Sequence, residues 1–278
     1  MEEFCTLDVR SWTELTEIIS EQKGRWTYRG QRKDWPLKTS LERTLGDWEI
    51  DLSEGPRIEA QIIREFRRQY RGDDQARVKT DTLYCLALMQ HHDAPTRLLD
   101  WTYSPFVAAK FAIEAGGKDA VIWCLDRRWC YEAVIKVAED KRIKERDTDE
   151  SRNDSTFLPL YCDERERRKF VFLENPLDLN ERLTIQQGIF LCPGDIGASL
   201  VENIQAMDGF NVKENLVKLR MKMADQVYEF ARMLKNMNVN SAVLFPGLDG
   251  FARSLGESLF LHRDFAQRRI GHSEHKRP

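Results

Sequence analysis

Residues 89–112 read Met-Gln-His-His-Asp-Ala-Pro-Thr-Arg-Leu-Leu-Asp-Trp-Thr-Tyr-Ser-Pro-Phe-Val-Ala-Ala-Lys-Phe-Ala. Polar and ionisable groups crowd the first half: His91, His92, Asp93, Arg97, Asp100 and Thr102. Pro95 keeps Ala94 out of helical geometry, and 97–101 reads as a short strand. Ser104-Pro105 then matches an N-cap followed by an N1 proline, opening an apolar helix over 104–115. Burying this many hydrogen-bonding groups costs free energy unless each finds a partner. The window is therefore a structural polar network or the lining of a site.

Working outward, the pattern predicts a helix over 82–91 ending at the His pair, and a buried strand over 120–125 (AVIWCL). Upstream, 11–23 reads as a helix opened by Ser11, and 26–30 as an aromatic strand ending in Gly30. Residues 56–71 form the clearest amphipathic helix, with Ile58, Ile62, Ile63, Phe66 and Tyr70 on one face. Arg64, Arg67, Arg68 and Arg71 occupy the rest, either as a solvated surface or as a phosphate-binding face. Residues 139–169 are dense in both charge signs and read as a charged insertion or flexible loop. Beyond it, 169–173, 182–190 and 241–245 read as strands, and 227–237 and 248–259 as helices. Strands and helices mix without regular alternation, which predicts the α+β class in one domain over 1–278.

The formal net charge is −3, so the chain as a whole has no pull toward nucleic acid or membrane; such a contact requires a local basic patch. The start MEEFCTLDVRSW has neither a basic n-region nor an apolar h-region, and no apolar run is long enough for a membrane span. The six cysteines are scattered without a CxxC pair, predicting a reduced, cytoplasmic protein without a zinc site.

Several groups could carry chemistry. In Tyr28-Arg29-Gly30 a strand-end guanidinium stands beside bare backbone, which suits a phosphate or carboxylate. The alternative is an internal partner, Asp100 or Asp249. His91 near Asp100 could serve as general acid or base, or the cluster could be a capping and turn network. Thr102 and Ser104 flank a helix start, where capping suffices for Ser104 although free amides could also hold an anion. If 182–190 is a strand, Arg182, Thr184 and Gln186 share one face. No Walker loop, GxGxxG, GxSxG or HExxH occurs.

These strings resemble those of the FRG domain, a mainly bacterial family named for a (Phe/Tyr)-Arg-Gly motif. The matching positions are Tyr28-Arg29-Gly30, Gln90-His91, Pro95 through Thr102, Ser104-Pro105, Ala108, and Phe111-Ala112. Further on are Gln186, Gly188 and Phe190, then Phe245-Pro246 and Leu248-Asp249-Gly250. Asp93 departs from the pattern, standing where Gly is common. The order of motifs is in turn similar to that of ADP-ribosyltransferases. That resemblance implies a split β-sheet core with surrounding helices, and NAD as substrate, in a toxin or phage-defence effector. It implies that Tyr28, Arg29, Gly30, Arg97, Thr102 and Ser104 bind NAD, with His91, Asp100 and Gln186 catalytic. Gln186 or Gln187 falls where a Glu is expected. An amide cannot supply the charge that stabilises an oxocarbenium-like ribose, so Asp100 or Asp249 must take that role or transfer is absent. The acceptor would be a protein or nucleic acid. A nucleic-acid-binding or nuclease-like module using the 56–71 arginines and Arg97, and a non-enzymatic scaffold, are the competing readings.

Overall fold

Strand β2 (Trp26–Gln31) lies inside a seven-stranded sheet in the computed structural model, which describes residues 4–22, 25–114, 119–138, 154–162, 167–176, 181–222 and 226–259. The other strands are β1 (Thr6–Val9), β3 (Leu99–Thr102), β4 (Val121–Asp126), β5 (Val171–Glu174), β6 (Gly188–Pro193) and β7 (Leu216–Met221). Their order is β1-β7-β4-β2-β3-β6-β5. Only β1 with β7 is parallel. The fold is mixed, as expected: a sheet with helices around it.

β2 pairs with β4 along its whole length, from Trp26 opposite Asp126 to Gln31 opposite Val121. It pairs with β3 only at Tyr28 opposite Thr102. The sheet is thus two half-sheets, β1-β7-β4-β2 and β3-β6-β5, joined at one residue pair.

Alternation along the strands feeds two apolar cores. Val121, Trp123 and Leu125 of β4 face one core, with Leu86, Met89 and Trp101. Ile122 and Cys124 face the other, with Tyr28, Ala108, Ala112 and Phe230. The helices Trp12–Glu21, Pro105–Ile113 and Val227–Asn236 cover the second core. Ser11 and Ser104 cap their helices as predicted, accepting from the amides of Glu14 and Val107.

Two predicted strands are helical. Residues Glu181–Ile185 form one helical turn, and β6 begins only at Gly188. Gln187, at φ 47°, ends that turn. Ser241–Leu244 is likewise a helical turn, capped by Asn240. Four or five residues are too few for alternation to be told from helical phase. Residues 139–153 and 163–166 of the predicted charged insertion lie outside the described residues. Within it, Asp154–Tyr161 is a helix that places Phe157 and Tyr161 in the core. Residues 248–259 are helical, with Leu248, Phe251, Leu255 and Leu259 exposed. No helix among the described residues is long and apolar enough to cross a membrane.

Arg97 is fully buried and ion-paired with the equally buried Glu59 of helix Gly55–Gln69. Its Nε donates to both Glu59 carboxylate oxygens at 2.9 Å, and another guanidinium nitrogen donates to the Tyr161 carbonyl at 2.9 Å. Burial opposes the Arg97 charge, but Glu59 outweighs it and the net pKa shift is upward. Glu59→Gln leaves this guanidinium without its counter-charge, so it should cost about 3–5 kcal/mol in urea unfolding. The double replacement Glu59→Leu/Arg97→Met should recover most of that loss. A wild-type midpoint for Glu59→Gln alone would contradict the assignment.

The turn before β3 holds Asp93 at φ 60°, the conformation for which glycine is preferred. Asp is among the few residues that tolerate it. Asp93→Gly is therefore expected to leave thermal stability unchanged or raise it, whereas Asp93→Val should lower it by about 1–2 kcal/mol.

Candidate functional site

The half-sheets part beyond Tyr28, and a cleft of about 800 Å³ opens there. Had the ladder continued, Arg29 would face Trp101 and Gly30 would face Asp100. Instead the Arg29 side chain crosses the gap and donates to the Asp100 carbonyl at 2.7 Å. The volume falls in the range of small-molecule sites.

Five cations line the cleft: Arg29, Arg32, Lys38, Arg43 and Arg182. Asp47, Asp100 and Glu114 are the carboxylates, and Trp35 and Phe111 supply aromatic walls. None of the five cations is ion-paired among the described residues. Arg43 donates to the Lys38 carbonyl, and the Arg182 guanidinium lies 4.8 Å from the Phe245 ring centroid. Two buried donors of lining residues have no acceptor among the described residues: Arg29 Nε, and Nε1 of Trp101, whose ring also packs in the first core. Native interiors rarely leave such donors unmet, and a ligand is one physical reason for doing so. Burial lowers the Arg29 pKa to about 10, opposed by nearby Asp100, so the group stays charged at neutral pH.

Asp100 is held from behind. Ser40 and Thr96 hydroxyls both donate to Gln90 Oε1, at 3.2 and 2.6 Å. The Gln90 amide nitrogen is thereby turned to Asp100 and donates to Oδ2 at 3.0 Å. Asp100 also lines a second, adjoining cavity of about 220 Å³, which shares Arg43, Arg182 and Gln186 with the cleft and adds His91. Burial, then His92 and Arg182, lower the His91 pKa.

Of the sequence-derived candidates, Tyr28, Arg29, Gly30, Asp100, Thr102 and Gln186 line the cleft. Several are occupied by the fold. The Tyr28 hydroxyl donates to Gln22 at 2.8 Å, and burial raises its pKa. Thr102 Oγ1 donates to the Gln186 carbonyl at 2.7 Å and accepts from the Ser104 amide. The Gln186 side-chain amide donates to the Leu244 carbonyl at 2.9 Å. Three expectations are corrected. Arg97 lies in the Glu59 pair and does not line the cleft; Ser104 is a helix cap and does not either. Gly30 does not leave bare backbone for a ligand, because helix Pro105–Ile113 fills that space. A Cβ there would sit 1.9 Å from the Ala108 carbonyl oxygen. Asp249 lines neither cavity.

Lys38, Arg43, Trp35 and Glu114 escaped the sequence reading. The only signal was a cation-bearing stretch, RKDWPLK at 32–38, directly after the Arg-Gly pair. It has no period and no motif; only the fold brings it over the gap.

Residues 24–120 match the family model of the FRG domain, so the chain carries an FRG domain over that segment. All the cleft residues named here except Arg182 and Gln186 fall inside it. No curated protein and no solved structure matches the chain. β4 and β6, which flank β2 and β3, lie beyond the matched segment, so that segment does not close the sheet alone.

Gly30→Ala should destabilise by about 1–3 kcal/mol or more, because the added methyl meets helix backbone that cannot rotate aside. The check is the denaturation midpoint; a wild-type value would mean the helix is free to move.

Proposed function

We propose that the cleft of this FRG-domain chain binds NAD and that the protein cleaves the nicotinamide–ribose bond, transferring ADP-ribose to water or to an acceptor. The observation that carries the reading is the unmet pair of buried donors, Arg29 Nε and Trp101 Nε1, in a cleft with unpaired cations and one oriented carboxylate. A pyrophosphate supplies acceptors and negative charge for the first set. An electron-poor ribose carbon suits the second.

In the reaction the bond from ribose C1′ to the nicotinamide nitrogen breaks, and its electron pair neutralises the pyridinium. A new bond forms from C1′ to the oxygen of water or acceptor, which gives up a proton. The ribose carries oxocarbenium character in between. Asp100 supplies the negative charge for it, with Gln90 fixing the carboxylate. His91, which lines the adjoining cavity together with Asp100, suits the proton acceptor. Arg29, Arg43 and Lys38 hold the phosphates, and Trp35 offers a face to a base. Four buried thiols with no disulfide suit action in a reducing cytoplasm, where NAD is available to a toxin or phage-defence effector.

The test is nicotinamide release from NAD by the purified protein, with binding followed by calorimetry. Arg29→Ala should abolish binding. Asp100→Asn should bind NAD but turn over about 10²–10³ times more slowly. No release by the wild type, or full activity in both variants, overturns the proposal.

A further inference from the structure

The arginine face of helix Gly55–Gln69 takes no part in the cleft, and the fold gives it a concave form. Against helix Gln75–Thr80 it bounds an open groove of about 650 Å³, lined by Arg64, Arg67, Arg68, Arg71, Gln75 and Lys79 on a short apolar floor. Five cations line it and no carboxylate does. In a chain of net charge −3 this is a local concentration of positive potential.

The groove is built rather than incidental. Arg67 clamps its two walls, with Nε donating to the Val78 carbonyl and a terminal nitrogen to the Thr82 hydroxyl, both at 2.9 Å. The Gln75 amide closes the connection on the Tyr70 carbonyl at 2.6 Å. Arg71 donates to the Arg68 and Tyr70 carbonyls, fixing the helix end. Arg64, Arg68 and Lys79 remain as exposed cations in the lining. Among the described residues Arg68 pairs with Glu65 at 2.9 Å, an exposed contact worth little in water. Arg64 and Arg68, four residues apart, are separated by about 6 Å along the helix, a spacing on the scale of successive phosphates.

We propose that this groove binds the phosphodiester backbone of a nucleic acid without reading its sequence. Its chemistry is what backbone contact requires: exposed cations and no carboxylate in the lining, with Glu65 beside Arg68 and Asp154 3.8 Å from Arg67 bordering it. It lacks what base recognition would need. Phe66 and Tyr70 stack on each other with centroids 5.5 Å apart and pack against the core, so no aromatic ring faces the groove. Arg97, buried with Glu59, contributes nothing to it. The groove shares no lining residue with the cleft, so this inference stands apart from the NAD reading.

The experiment is fluorescence anisotropy with a short labelled DNA duplex of scrambled sequence, titrated between about 50 and about 200 mM salt. The wild-type protein should bind with a log–log salt slope of roughly −3 to −4. Arg64→Gln/Arg68→Gln/Lys79→Gln should weaken binding at least tenfold at low salt and reduce the slope by about 2–3. Arg29→Ala should leave both unchanged. Thermal melting checks that the triple variant folds, and Arg64→Gln/Lys79→Gln serves if it does not. No duplex binding, a slope near zero, or unaltered binding by the variant overturns the inference. So does complete displacement by millimolar inorganic phosphate, which would assign the groove to a small anion.

Discussion

The contact between Gly30 and the backbone of helix Pro105–Ile113 is the constraint on which the rest of the site depends. The helix presents Ala108, Ala109 and Ala112, all buried, to the sheet, and at Gly30 even a methyl group has no room. This approach presses β2 against the element that follows β3. Tyr28 and Thr102 can then pair, while the strands beyond them diverge. Arg29, one residue along, has nowhere to put its guanidinium except across the resulting gap. The glycine of the Tyr-Arg-Gly string thus acts through packing, and the arginine acts because of what the glycine permits.

Two arginines in the same half of the chain, Arg97 buried and Arg29 half-buried, receive opposite treatment. Arg97 meets a carboxylate and a carbonyl, and its charge is compensated inside the protein. Among the described residues Arg29 meets only the Asp100 carbonyl and keeps an unmatched Nε, and burial depresses its pKa. A fold that can compensate one guanidinium fully has no structural need to leave the other short of acceptors. The first belongs to stability. The second is a standing cost that a bound anion would offset.

Much of this was legible in the sequence, and the failures have physical causes. Long periodic segments declared themselves: the 55–69 and 105–113 helices, their Ser and Pro start signals, and the apolar β4 strand. Tyr28, Arg29, Asp100 and Gln186, singled out by their motifs, line one cleft. Arg97 was misread although its partner, Glu59, falls in phase with Ile62, Ile63 and Phe66 on the apolar face of the helix, where a lone carboxylate signals a buried counter-charge. The strand reading of 182–190 failed because Leu183 and Ile185 alternate with polar residues for two steps only, which one helical turn satisfies equally. Trp35 and Lys38 lie in an irregular segment without a pattern, and Arg43 sits on the short helix Ser40–Asp47; a cleft wall assembled from both is a tertiary fact.

Gln186 brings these strands of argument together. A carboxylate is expected near this position if the chain resembles ADP-ribosyltransferases, yet its side chain must donate a hydrogen bond to the Leu244 carbonyl. A glutamate there would set two acceptors against each other and loosen the 241–244 turn from the 181–185 turn. That second turn carries Arg182, whose guanidinium rests on Phe245 just after Leu244. The amide is therefore required by the junction that aims Arg182 into the cleft. In the proposed reaction the negative charge would come instead from Asp100, which Gln90 orients through its own amide. One glutamine supports the wall and another steers the carboxylate, so the absence of a glutamate at 186 is compatible with a charged, organised centre.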